Sequence, residues 1–159
     1  NMDADKEREF LEMTESCKGI IYKICLMYSE DSEGHNDLFQ EVVLNLWGSF
    51  ARFRGESTYS TWVYRVALNT CISTLRKNKI KNLCVPFDVK MDLSQEESND
   101  IKELYRMINL LNPIEKAIII LYLDEKSYDE IATIMGITRT NVAVRIHRIK
   151  DRLREISKQ

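Results

Sequence analysis

The chain has 159 residues, 44% apolar and 30% charged, with 25 acids against 23 bases and a net charge of −2. This size suits one average domain or two small ones, and the composition excludes disordered, collagen-like and disulfide-scaffold classes. The longest apolar run, Ala117 to Leu123, is seven residues against roughly 20 for a membrane span, and no basic-then-apolar leader opens the chain, so a cytoplasmic protein is expected.

Five glycines and two prolines leave few places for sharp turns, which favours long helices. A first helix is predicted over Glu7 to Tyr28, with apolar Phe10, Leu11, Ile20, Ile21, Ile24 and Cys25. A polar stretch containing Gly34 is expected to end it. A second helix covers Asp37 to Phe50, and a turn follows through Arg54, Gly55 and Glu56. A long third helix runs from about Tyr59 to Lys79. Residues 84–100 lack helical periodicity, contain Pro86 and are acidic, so they read as a flexible linker. Further helices are predicted near 101–110, 113–123, 128–135 and 139–156. Alternation of period two appears nowhere at length, so no sheet is expected.

The four cysteines, Cys17, Cys25, Cys71 and Cys84, form no CxxC pair. Cys17 and Cys25 are separated by about 12 Å of helical rise, beyond the roughly 7 Å a disulfide tolerates. Buried thiols in a reducing compartment are the expectation. No Cys and His spacing suits a metal, so neither metal nor cofactor is expected.

Charge is unevenly placed. Residues 1–15 hold six acids against two bases, and residues 88–103 hold six acids against Lys90 and Lys102. Residues 65–81 hold Arg65, Arg76, Lys77, Lys79 and Lys81 with no acid, and residues 138–159 hold seven bases against Asp151 and Glu155. Two basic patches thus interrupt an acidic chain. Net acidity argues against a protein that coats nucleic acid unaided.

Ser127-Tyr128-Asp129-Glu130 has the form of a capping box. Ile131, Ile134 and Met135 mark an apolar face, Gly136 suits a left-handed C′ position, and Thr138 suits the next N-cap. Helix, glycine turn, helix is the helix-turn-helix pattern. On a wheel the second of these helices puts Val142, Ile146, Ile149 and Leu153 on one stripe. Thr140, Val144, His147, Arg148 and Asp151 lie opposite. Arg139, Ala143, Lys150 and Arg154 flank one side; Asn141, Arg145 and Arg152 flank the other. A helix in the major groove needs this layout, with central side chains on base edges and flanking bases on phosphates. The fold class is therefore all-α: an N-terminal helical bundle and a C-terminal four-helix helix-turn-helix domain joined by the linker.

The long third helix has an apolar stripe of Val63, Tyr64, Ala67, Leu68, Cys71 and Leu75. Opposite it stand Trp62, Arg65, Val66, Asn69, Ser73 and Arg76. Trp and Tyr stack on unpaired bases while Arg and Lys hold the strand. Tyr59, Ser60 and Thr61 are placed to line a pocket for an extruded base. The plainer alternative is a Trp62 that packs on the neighbouring helix. The second helix has a wide stripe of Leu38, Phe39, Val42, Val43, Leu46, Trp47 and Phe50 read as core. Its other side shows Asp37, Gln40, Glu41 and Leu44. A leucine among acids suggests a basic partner surface, although single exposed leucines are common.

Together these segments resemble a bacterial sigma factor of the small extracytoplasmic-function (ECF) group. Asp37-Leu38-Phe39-Gln40-Glu41 through Trp47 is similar to the family's D-L-x-Q-E-x-x-x-x-x-W polymerase-binding helix. Phe53-Arg54-Gly55, then Thr61-Trp62, then Val66-Ala67 and Asn69 resemble its F-R-G-x-x-x-x-x-T-W-x-x-x-I-A-x-N signature. Leu111-Asn112-Pro113, Tyr128 to Ala132 and Val142 to Arg148 resemble its second conserved domain.

The resemblance implies a transcription initiation factor and no enzyme, with region 2 over 5–83, an acidic linker over 84–100 and region 4 over 101–159. Asp37, Gln40, Glu41 and Leu44 would dock on the beta-prime clamp of core RNA polymerase, and region 4 on the beta flap. Ser57, Thr58, Tyr59, Ser60 and Thr61, with Trp62, Arg65 and Asn69, would capture unpaired bases of the minus-ten element. Arg76 and Lys77 would hold adjacent phosphates. Arg139, Thr140, Asn141, Ala143, Val144, Arg145, His147, Arg148 and Lys150 would meet the minus-thirty-five element. Ala143 and Val144 stand where many relatives carry longer polar residues, so hydrogen-bonded readout would rest on His147 and Arg148, with thymine methyl contacts available to the other two. An anti-sigma protein is the expected inhibitor, and the free chain is expected to be monomeric.

Two other classes compete. A polymerase-independent helix-turn-helix repressor explains the C-terminal part but leaves Asp37 to Asn69 unused, and no dimer helix is evident. A Mg²⁺-dependent nuclease built on acids such as Asp37 and Glu41 lacks a recognisable cluster.

Overall fold

Phe10, Met13, Cys17, Ile21, Ile24 and Tyr28 recur every three or four residues and are buried along one face of a single helix, α1 (Met2–Tyr28). The structure, a computed structural model, describes residues 2–81 and 99–159. α1 begins before the predicted Glu7, and Leu11, one of its apolar residues, is 58% exposed. Its place belongs to Met13 and Cys17, which the helical period selects.

The second helix, α2 (Ser32–Phe50), starts five residues before the predicted Asp37. Gly34 does not end α1. It sits in the first turn of α2 and donates its N–H to Asp31 Oδ1 at 2.7 Å, so Asp31 is the N-cap. This early start carries His35 into the core, where its Nε2–H donates to the Tyr22 carbonyl at 3.1 Å and its ring lies edge-on to Tyr22. Leu38, Val42, Leu46 and Phe50 continue the buried face.

The third helix, α3 (Tyr59–Lys81), buries Val63, Tyr64, Ala67, Leu68 and Cys71 as its stripe predicts. α1 packs on α2 and α3, and these pack on each other. Asn45 Nδ2 donates to Thr70 Oγ1 at 2.9 Å, and that hydroxyl donates to the Val66 carbonyl at 2.7 Å, so the polar link between α2 and α3 is satisfied. Burial pushes the Tyr28 phenol well above its ordinary value, with a smaller push from Cys71. Cys17, Cys25 and Cys71 are buried and form no disulfide, as expected; Cys84 lies outside the described residues.

An aromatic chain runs through this unit. The Phe10 ring lies 5.0 Å from Trp47 and 5.3 Å from Phe50, and Phe50 lies 6.4 Å from Tyr59 and 6.2 Å from Trp62. These spacings are those of edge and offset aromatic pairs.

The second unit holds α4 (Asn99–Asn109), α5 (Pro113–Leu123), α6 (Tyr128–Met135) and α7 (Arg139–Ser157). Asn99 and Asp100, read as the end of the linker, are already helical; residues 84–98 of that linker lie outside the described residues. Seven helices and no strand appear among the described residues, so the all-α expectation holds. α5 is buried from Lys116 through Leu121 and forms the centre of the unit. Asn112 caps it reciprocally with Glu115, and Pro113 occupies the first turn, where its missing N–H costs nothing.

The predicted capping box of α6 is present: Ser127 Oγ accepts from the Glu130 N–H at 3.1 Å, and Glu130 Oε1 accepts from the Ser127 N–H at 3.1 Å. Hydrogen bonding to the carboxyl, first from the Ser127 backbone N–H and then from the Ser127 side chain, holds Glu130 below its ordinary value. Because the folded value is lowered, the stabilisation is present above the unfolded glutamate value and is lost as pH falls through the folded one. Comparing thermal unfolding of E130A with wild type at falling pH, we expect the difference between them at neutral pH to shrink through that window. A pH-independent difference would show that the carboxylate charge contributes nothing.

Candidate functional site

Asp37, Gln40, Glu41 and Leu44 follow the spacing i, i+3, i+4, i+7 and are all exposed on one face of α2. Leu44 is 66% exposed. Trp47, read from the sequence as core, is 48% exposed: one edge packs on Phe10 and the rest stands beside Leu44's row. The physical reason is angular. Leu46 and Phe50 occupy the inward direction, and Trp47 falls at the margin of the stripe. The face is thus apolar and acidic at once, a combination suited to a basic protein surface.

The turn before α3 is set by Gly55, whose φ of +73° favours glycine. Thr58 then caps α3: its Oγ1 accepts from the Thr61 N–H at 3.1 Å and donates to Thr61 Oγ1 at 3.1 Å. Thr58 and Thr61 are therefore engaged with each other. Tyr59 and Trp62 share the Phe53 ring, at 4.9 and 5.0 Å, and both are half-buried. Trp62 both packs on its neighbours and keeps an accessible part, so neither reading of this residue excludes the other. Ser57, Ser60 and Thr61 are half-buried around them. Arg65, Asn69, Ser73, Arg76 and Lys77 continue exposed along α3.

One contact here was not foreseen. Tyr59 Oη donates to Glu9 Oε1 of α1 at 2.7 Å, which raises the tyrosine's proton affinity. The two residues are fifty apart, and the sequence shows Glu9 only as one acid of an acidic run.

In the second unit Gly136 adopts φ 69°, ψ 35°, and the Ile137 N–H returns to the Ala132 carbonyl at 3.1 Å. This closes α6 and reverses the chain. Thr138 caps α7 by accepting from the Asn141 N–H at 3.1 Å. Val142, Ile146 and Ile149 are buried, so Arg139, Thr140, Ala143, Val144, His147 and Arg148 are exposed on the outer face. Asn141 and Arg145 are half-buried and linked, Arg145 Nε donating to Asn141 Oδ1 at 3.1 Å. Lys150 is turned inward: its Nζ donates to Tyr122 Oη at 2.8 Å. Asp151, the acid on this face, is matched by Arg154 at 2.8 Å and faces His147 Nε2 at 3.5 Å. Such exposed pairs contribute little to stability; here one of them neutralises a carboxylate. An open cavity of about 230 Å³ between the start of α5 and α7 is lined by Asn112, Glu115, Asn141, Arg145, Arg148 and Ile149. Among the described residues no His, Cys, Asp and Glu cluster is placed to hold a metal ion, and no helix is long and apolar enough to cross a membrane.

A three-helix unit and a helix-turn-helix unit define an all-helical protein of the helix-turn-helix class. Residues 13–80 match the family model described as Sigma-70 region 2, and residues 101–153 match Sigma-70, region 4. The chain is 30% identical over 132 residues to the ECF RNA polymerase sigma-E factor of Haemophilus influenzae, covering 72% of this chain and 70% of that one. It is 26% identical over 167 residues to the ECF RNA polymerase sigma factor SigW of Bacillus subtilis, covering 92% and 87%. Its fold resembles that of the sigma factor RpoE solved with the anti-sigma factor NepR from Bartonella quintana, with TM-score 0.77, 22% identity and 97% of each chain covered. It also resembles CnrH solved with the cytosolic domain of CnrY, with TM-score 0.70, 15% identity, and 96% and 89% covered. The chain belongs to the ECF sigma factors, and is accordingly a transcription initiation factor and not an enzyme.

Proposed function

We propose that this sigma factor binds core RNA polymerase through the outer face of α2 and directs it to promoters with two separate DNA-reading surfaces. Asp37, Gln40, Glu41 and Leu44 meet the basic side of the beta-prime clamp. The turn at Ser57 to Thr61, with Trp62, Arg65 and Asn69, receives unpaired bases of the minus-ten element, while Arg76 and Lys77 meet the phosphates beside them. Strand opening is then stabilised by base capture, with no covalent step. The outer face of α7 enters the major groove at the minus-thirty-five element: Arg139, Arg145 and Arg148 meet phosphates or guanine edges, and Thr140, Asn141, Ala143, Val144 and His147 lie over the bases. Lys150 reaches DNA only by leaving Tyr122, so it carries the least of this reading.

The observation that carries the proposal is a half-buried, partly accessible Trp62 at the head of the exposed row of Arg65, Asn69 and Arg76 on α3, since a solvated helix has no reason to present a tryptophan there. On this reading residues 5–83 form region 2, 84–100 the linker and 101–159 region 4, with the beta flap as region 4's polymerase contact. An anti-sigma protein covers one of the two functional faces of region 2 in a cytoplasmic, otherwise monomeric chain. The test is reconstitution with bacterial core polymerase on a library of genomic fragments. Transcripts should start at discrete sites only when the chain is present, and the chain alone should bind duplex DNA weakly because few phosphates are neutralised. Tight sequence-specific binding without polymerase, and no chain-dependent transcripts, would assign it instead to polymerase-independent regulators.

A further inference from the structure

Tyr59 stands on the proposed base-capturing surface, yet its hydroxyl is tied to a helix outside that surface. The ring is held from two directions. Phe53 lies 4.9 Å away with a 32° tilt and Phe50 lies 6.4 Å away, so packing constrains the plane of the ring. Glu9 on α1 accepts a hydrogen bond from the Tyr59 hydroxyl at 2.7 Å, and this fixes the polar end. Among the described residues Glu9 makes no ion pair. An unneutralised acid beside a surface that receives a polyanion is unfavourable on charge alone. Its place is explained by the bond it makes.

We propose that Glu9 is a positioning residue: it orders Tyr59 before DNA arrives, so that an unpaired base meets a ring already at its stacking angle. The inference rests on the base-capture reading above. Its physical content is preorganisation, since an aromatic side chain left free must lose its rotamer freedom at the moment of binding. The bond links an N-terminal helix segment outside the F-R-G to T-W signature with the residue three before Trp62.

The test uses the full chain assembled with core polymerase and, as probe, a labelled single-stranded oligonucleotide of about 12 nucleotides selected from a random pool on the wild-type complex. E9A and E9Q both remove the negative charge, so any gain from weaker repulsion cancels between them. Only E9Q keeps an acceptor for the Tyr59 hydroxyl. We expect E9A to bind the probe about 3–10-fold more weakly than E9Q. That gap should vanish in a Y59F background, where no hydroxyl remains to be held. Equal affinities for E9A and E9Q, or a gap that persists with Y59F, would overturn the inference. W62A distinguishes the two levels of the argument. If W62A weakens binding while E9A and E9Q agree, Glu9 alone loses its role; if W62A leaves binding unchanged, base capture and the positioning of Tyr59 fall together.

Discussion

Replacing Gln40 and Leu44 together with alanine is expected to abolish stable assembly with core RNA polymerase while leaving the chain folded. Truncating one central residue of a protein interface typically costs about 2 kcal/mol or more, roughly 30-fold in affinity. Two such residues one helical turn apart on α2 share one contact patch, so a loss on the order of 100-fold or more is expected. The fold should tolerate the change. Both side chains are exposed, with Leu44 at 66%, and alanine is the best helix former. Comigration with core enzyme on a sizing column, together with a thermal melt of the free variant, separates the two effects. A variant that melts like wild type and still comigrates would remove α2 from the docking surface.

The second large effect is expected at Trp62. W62A should reduce promoter opening by about 5–150-fold, the equivalent of the roughly 1–3 kcal/mol that stacking of one base supplies. Polymerase assembly should survive, because Trp62 lies on α3 and the proposed docking row on α2. Trp62 also rests on Phe53 at 5.0 Å and Phe50 at 6.2 Å, so some loss of stability accompanies the substitution. W62F, which keeps a smaller ring on Phe53, separates packing from base contact: it should recover most of the stability and only part of the opening. Permanganate reactivity of unpaired thymines in the assembled complex reads opening directly. Undiminished reactivity with W62A would withdraw base capture from this face.

The C-terminal unit was the most legible from sequence because its signals are local. Ser127, Glu130, Gly136 and Thr138 each act on backbone groups within five residues, and the structure places all four as read. The outer face of α7 followed from periodicity once the buried stripe was found. The start of α2 was misread because Asp31-Ser32-Glu33-Gly34 has the composition of a loop, and a loop and an N-cap followed by a first turn use the same residue types. Trp47 was misread because a hydrophobic stripe has margins, and a wheel gives direction without saying how far the neighbouring helix extends. The Glu9 to Tyr59 bond and the inward turn of Lys150 onto Tyr122 left no trace in the sequence, since each joins residues on different helices through exposed or half-exposed polar ends.

The aromatic chain through the first unit has an evolutionary corollary. Phe50 belongs to neither functional row. It sits one ring from Trp47, through Phe10, and touches both Tyr59 and Trp62 directly. A substitution at Phe50 or Phe10 repacks the ring beside the proposed polymerase-facing row and the rings of the proposed strand-facing row together, because neighbours in contact respond non-additively. On the proposed reading, a change at either position is therefore felt by two partners at once, polymerase and DNA, although neither has to touch it. If the exposed positions of α7 read the promoter as proposed, they can change with little effect on packing, while a change among the rings of the first unit must leave both of its proposed faces intact.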